Sequence, residues 1–136
     1  MMMKINNDVF FLYLVMIAYS MVGCAGNNIC INLNEKKIVS KEGDIVRFEI
    51  EENDTSYYFL LKGNVRHQKT VDLKDIYNKN RVDESFRFGK MNSFSLKPRS
   101  TYIFTNRTVF DASRVSLKFY TDSIGNLHSL DNQVCE

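Results

Sequence analysis

Tryptophan is absent from the chain, proline occurs once, at Pro98, and glycine only six times. So little Pro and Gly excludes a collagen-like repeat and argues against a low-complexity or disordered chain. Histidine occurs twice, at His67 and His128, and no CxxC pairing exists among the three cysteines. A zinc-type centre therefore has little to draw on, and no metal or cofactor residue is assigned. Charge of one sign is also lacking. With 18 basic and 16 acidic residues the formal net charge is +2. Such a balance makes no strong field for nucleic acid or an anionic lipid surface. No GxSxG elbow surrounds a serine. The acidic run Glu49–Asp54 lacks EF-hand spacing and reads as a solvated hairpin. A Ser–His–Asp set has no nucleophile context here, so no catalytic residue is assigned and the chain is not read as an enzyme.

What is present begins with aromatics, ten Phe and seven Tyr in 136 residues, a length suited to one domain. The chain opens MMMKINND and then runs without charge through VFFLYLVMIAYSMVG, Val9 to Gly23. A basic start, an apolar middle and a small residue at the end form the layout of a secretory leader. The run is short for a spanning helix, which needs about 20 residues. An uncleaved anchor is the alternative, since no charge follows until Glu35. The organisation expected is a leader helix over 1–23, a tether over 24–28 and a β-sandwich domain over 29–136. Without the leader about 113 residues remain, enough for one modest core.

Met21-Val22-Gly23-Cys24 resembles the lipobox of bacterial lipoproteins, with Met21 where Leu is usual. The resemblance implies cleavage before Cys24, fatty acylation of its sulfur and new amine, and anchoring in a lipid bilayer. Each buried methylene contributes about 0.8 kcal/mol, so several chains hold firmly. Ala25, rather than Asp, after the Cys implies an outer-membrane address facing the periplasm. With Cys24 lipidated, Cys30 and Cys135 remain. In an oxidising compartment they read as one disulfide joining the two ends of the mature chain. Two free thiols, or a metal pair, are the competing readings.

Strands are expected at Asn28–Leu33, Asp44–Ile50, Tyr57–Lys62, Arg114–Thr121 and Asn126–Leu130, from period-two alternation and β-prone residues. Val46, Phe48 and Ile50 should face inward and Arg47 and Glu49 outward. Val115, Leu117 and Phe119 should face inward against Ser116 and Lys118. Glu42-Gly43-Asp44, Glu51–Ser56 and Ser123–Asn126 read as turns. Val71–Asn80 reads as a helical turn or irregular loop, with Leu73, Ile76 and Tyr77 on one helical face. Asp111-Ala112-Ser113 reads as a turn or single helical turn. Short, mostly antiparallel strands indicate an all-β, immunoglobulin- or fibronectin-like sandwich. Leu96-Lys97-Pro98-Arg99-Ser100-Thr101-Tyr102 resembles the tyrosine corner of fibronectin type III sandwiches. That implies a crossing between sheets at Pro98 and a buried Tyr102 ring that returns its hydroxyl to nearby backbone; the alternative is a chance Pro before a strand.

The chain as a whole resembles the small enterobacterial periplasmic lipoproteins grouped as type VI secretion immunity proteins. The resemblance is carried by the lipobox at Cys24, the strand Gly43–Ile50, the acidic turn with Tyr57 and Tyr58, and the stretch Phe94–Phe104. Members often carry a Cys where Arg47 stands, whereas the second thiol here is Cys135. The resemblance implies stoichiometric neutralisation of a protein toxin, the secreted effector, by covering its surface or plugging its cleft. Such binding needs aromatic or Arg anchors, and Tyr57, Arg66, Arg99 and Tyr120 are the exposed candidates. The alternative is a general envelope binding or structural lipoprotein with no toxin partner.

Overall fold

A computed structural model describes residues 28–63, 68–78, 82–86, 93–108 and 116–136, apart from the side chains of 84–86. The leader with its expected signal helix, Cys24, Arg66, His67 and the Asp111–Ser113 turn lie outside the described residues. Among the described residues the chain is all-β. Its strands are β1 (Ile29–Asn32), β2 (Lys37–Ser40), β3 (Arg47–Glu52), β4 (Thr55–Leu61), β5 (Thr70–Asp72), β6 (Val82–Phe86), β7 (Thr101–Asn106), β8 (Ser116–Thr121) and β9 (Leu127–Ser129). They form a three-stranded sheet in the order β1-β2-β5 and a six-stranded sheet in the order β6-β4-β3-β7-β8-β9. Every strand pairing is antiparallel. The two sheets form a sandwich.

Alternation explains which side chains meet between the sheets. Ile29, Ile31, Ile38 and Val71 come from the small sheet. Phe48, Ile50, Tyr57, Phe59, Tyr102, Phe104, Leu117 and Phe119 come from the large one, and all belong to one buried cluster. Phe48 sits at its centre. Its ring stacks on Phe59 at 4.8 Å and on Phe104 at 5.0 Å between centroids. These contacts follow from register, since Phe48 is opposite Phe59 on β4 while Ile50 is opposite Phe104 on β7. Full burial of one such ring contributes about 1.5–3 kcal/mol.

Several expected elements differ from those observed. Lys37–Ser40 and Val82–Phe86 are strands, although neither is long enough to show a firm alternation. Of the Val71–Asn80 segment, the described residues through Asn78 open in β5 and continue as turns and bends, with no helix among them. Leu73 and Ile76 are both buried, so helical spacing here reflects two turn residues dropping onto the core. The expected turn Glu51–Ser56 is tighter. Glu51 pairs with Ser56 and Glu52 with Thr55, leaving Asn53 and Asp54 as the loop at φ 47° and 62°. A two-residue hairpin loop of the favoured type needs two positive φ values, which Asn and Asp tolerate.

The acidic run is not a solvated hairpin. Glu49 and Glu52 are both 5% exposed. Glu49 does lie on the outer face, as alternation requires, but Arg107 pairs with it there. The Arg107 guanidinium also lies over the Tyr58 ring, 5.9 Å from its centroid.

The first described strand and the C-terminal segment meet at the small sheet. Val134 forms a parallel bridge with Ile31, and the Cys135 N–H donates to the Ile31 carbonyl at 2.9 Å. Cys30 and Cys135 are joined by a disulfide, with Cα atoms 5.1 Å apart.

Candidate functional site

Three clusters of polar and aromatic side chains stand out against this frame. The first is at the start of β7. The segment Leu96–Ser100 turns into the strand, with Pro98 supplying a locked negative φ and Arg99 a positive one of 56°. Thr121 of β8 clamps that turn. Its backbone N–H donates to the Ser100 carbonyl at 2.9 Å, and its hydroxyl accepts from the Ser100 N–H at 3.1 Å. Leu96 packs against the core. Tyr102 is fully buried, and its hydroxyl accepts the Lys97 N–H at 2.7 Å. The same hydroxyl donates to Glu52 Oε1 at 3.2 Å, while Lys97 Nζ reaches Glu52 Oε2 at 2.9 Å. The Glu52 hydrogen bond holds the Lys97 ammonium above its ordinary pKa, and burial pushes the Tyr102 phenol upward. This cluster compensates an inward carboxylate: Glu52 is buried, while the Lys97 side chain that pairs with it is exposed.

A second cluster lies at the end of β8 and β9. Tyr120 and His128 are opposite each other in register, and their rings stack at 4.7 Å, 13° from parallel. His128 Nε2 is 3.2 Å from Asp122 Oδ2. Asp122 opens the turn between the two strands. Its Oδ1 accepts the N–H groups of Ile124 at 3.0 Å and Asn126 at 2.8 Å. Those bonds, led by that from Asn126 and joined by His128, hold the carboxyl down at about 2. Gly125 supplies the φ of 84° that the turn requires. Ile124, pushed out by this geometry, is 80% exposed, and Leu130 is 52% exposed. The Arg99 N–H donates to the Asp122 carbonyl at 3.1 Å, which brings the first turn beside the second.

The third cluster is a cavity of about 160 Å³ on the other side of the same 122–126 turn, lined by Lys36, Leu73, Lys74, Ser95, Leu96, Gly125 and Leu127. Another, against Phe48, Leu61, Val71 and Ile76, holds only about 20 Å³, room for a water.

Of the four candidate anchors, the structure brings Arg99 and Tyr120 to the same end of the large sheet. Tyr57 is not an exposed anchor. It is opposite Ile50, shares the inward parity of Phe59 and Leu61, and is only 8% exposed. Arg66 lies outside the described residues. Ile124 and Asp122 are additions. Their sequence signal is an isoleucine inside a turn-forming Asp-Ser-Ile-Gly-Asn, where an apolar side chain has no strand face to hide on. Among the described residues no hydroxyl or thiol is hydrogen-bonded to His128, since Ser129 Oγ is spent on the Asp131 carbonyl. The described residues also contain no group of three or more His, Cys, Asp or Glu placed to hold a metal ion. No protein-family model, no curated protein and no solved structure matches this chain.

Proposed function

We propose that this chain is the precursor of an envelope lipoprotein, cut before Cys24, acylated there and facing the periplasm, whose sandwich binds and neutralises a protein toxin of the type VI secretion class. The observation that carries the reading is the Cys30–Cys135 disulfide. Such bonds persist in oxidising compartments and are rare in the cytosol. Pairing these two leaves Cys24 as the one thiol free for lipid, at the end of an apolar leader.

Binding, rather than catalysis, suits the surface that the fold presents. An aromatic ring, an arginine and an exposed aliphatic side chain gather around Tyr120, Arg99 and Ile124, and such residue types dominate interface energetics. The stacked His128 and the bonded Asp122 stiffen the turn in advance, so little ordering cost remains for association. A tether at Cys24 would keep the sandwich at the membrane, close to where an injected protein arrives.

The test has two arms. Incorporation of labelled palmitate into the full chain, lost in Cys24→Ala, reads the anchor. Co-purification with the product of a neighbouring gene, where that gene encodes a peptidoglycan or lipid hydrolase, reads the partner. A stable one-to-one complex weakened at least about tenfold, or ~1.4 kcal/mol, by Ile124→Asp is the expected result. No binding at micromolar concentration would refute toxin neutralisation, and an unlabelled, cytosolic chain would refute the anchor.

A further inference from the structure

The cavity beside the 122–126 turn has a composition that the toxin-binding reading does not use. Its floor is aliphatic: Leu73 is 3% exposed, Leu127 7%, and Leu96 packs against the core. Its rim is cationic, with Lys36 and Lys74, and carries the Ser95 hydroxyl. Among the described residues no acidic side chain lines it. The described acids beside the lining residues in the chain have partners of their own. Asp72 Oδ1 accepts the Lys74 backbone N–H at 2.9 Å, Asp75 Oδ2 accepts from Asn78 at 2.7 Å, and Glu35 pairs with Lys37 at 3.0 Å. Asp122 is held by its own turn and His128.

Lys36 is the more informative of the two lysines. It closes the β1–β2 hairpin at φ 56°, a conformation in which glycine or asparagine would meet less strain. Its backbone is held there by the Leu73 N–H, which donates to the Lys36 carbonyl at 2.9 Å. Its ammonium crosses to the opposite wall and donates to the Gly125 carbonyl at 3.3 Å. That bond uses one of three donors and leaves the charge without an acidic partner among the described residues. A strained backbone position filled by a residue whose side chain spans a cavity mouth is the kind of outlier that points to a ligand.

We propose that this cavity binds a small aliphatic carboxylate, its stem on the Leu73, Leu96 and Leu127 floor and its carboxylate between Lys36 and Lys74. About 150 Å³ admits a six-carbon ring, so a volume of about 160 Å³ sets the size of the stem at roughly six heavy atoms. A phosphate would have no apolar part to cover the leucines, and a neutral aliphatic molecule would leave both ammonium groups uncompensated. The carboxylate comes from a free acid or from the terminus of a polypeptide.

The ¹⁵N-labelled full chain in detergent micelles is titrated with 4-methylpentanoate, with N-acetylleucine as the chain-terminus mimic, with 4-methylpentan-1-ol and with inorganic phosphate. Both carboxylates should shift the amide signals of Lys36, Lys74, Ser95 and Gly125 saturably. Lys36→Met with Lys74→Met should weaken them at least tenfold, and Lys118→Met on β8 should leave them unchanged. Lys74→Met alone, at an exposed position, guards against a folding defect and should weaken binding several-fold. Tighter binding of N-acetylleucine assigns the carboxylate to a polypeptide terminus, and tighter binding of 4-methylpentanoate assigns it to a free acid. The alcohol or phosphate binding as tightly as the carboxylates would defeat the proposal. So would shifts that survive the double substitution. Loss of toxin binding has no bearing on either outcome.

Discussion

The Tyr102 hydroxyl stands between a backbone donor and a buried acid. It accepts the Lys97 N–H at 2.7 Å and donates to Glu52 Oε1 at 3.2 Å. Tyr102 is thus both the pin that fixes the turn before β7 and a ligand of a carboxylate only 5% exposed. A buried charge is costly unless it is paired and hydrogen-bonded, and Glu52 obtains its pairing from Lys97 on the same turn.

Tyr102→Phe should therefore destabilise the fold by more than the loss of one hydroxyl suggests. It leaves one oxygen of the buried Glu52 unsatisfied, at about 1–3 kcal/mol, and removes the partner of the part-buried Lys97 N–H. Urea denaturation at neutral pH measures it. The wild type should also lose stability in alkali. Lys97 and Tyr102 both have folded-state pKa values above the ordinary 10.5 and 10.0. Their contributions are complete below those ordinary values and decline as pH rises through the folded ones. The decline should be shallower in Tyr102→Phe.

Asp122 works in the opposite direction. Its carboxyl is held at about 2 instead of 3.8, so the charged form is favoured in the folded state. Stability from this turn is fully present above pH 3.8 and is lost as pH falls toward 2. Carboxyl ¹³C shifts should place its midpoint near 2, and Asp122→Asn should flatten the acid limb of the stability curve. An ordinary midpoint would show that the Asn126 and Ile124 N–H groups do not hold the side chain.

The disulfide closes nearly the whole folded body, with Cys30 and Cys135 lying 105 positions apart in the chain. In the chain-entropy account a loop of that size stabilises by up to about 4–5 kcal/mol. Reductant should lower the urea midpoint strongly, and Cys135→Ser should reproduce that value without reductant. Cys24→Ala should leave it unchanged.

Phe48→Ala tests the centre of the sandwich. The ring is 1% exposed and stacked on two neighbours, Phe59 and Phe104. Removing it should cost about 3–5 kcal/mol by lost transfer energy and cavity formation. Lys118→Ala, on an exposed outer position, should change the urea midpoint little.

Much of the large sheet could be read from local pattern. Phe48 and Ile50 alternate with Arg47 and Glu49, Leu117 and Phe119 alternate with Ser116 and Lys118, and these four are buried; Val46, expected inward with them, is only half-buried while Ile45 beside it is fully buried, and Val115 lies outside the described residues. Tyr57 was misplaced for a local reason. In Tyr57-Tyr58-Phe59-Leu60-Leu61 every residue is apolar or aromatic, so composition does not mark a wet face. Pairing with β3 puts Tyr57 opposite Ile50 and turns it inward. Thr101–Asn106 is not read as a strand, since the buried Thr105 and Asn106 break the apolar alternation; Lys37–Ser40 and Val82–Phe86 are not, because so few residues carry little period. Their pairing partners, β1 and β5 for β2 and β4 for β6, make them strands.

The order of residues along a strand settles which side chains share a face, because successive side chains point to opposite sides whatever surrounds them. In this protein that was enough to mark Phe48, Ile50, Leu117 and Phe119 as core, while the expected pair Cys30 and Cys135 came from the lipobox resemblance, which sets Cys24 aside. Only the tertiary structure decided the fate of the charges. Glu52 meets Lys97, and Glu49 meets Arg107, across large gaps in the chain. Lys36 and Gly125 close over one cavity from opposite ends of the domain. Electrostatic and hydrogen-bonding partners depend on distance in space, and period along the chain carries no information about it.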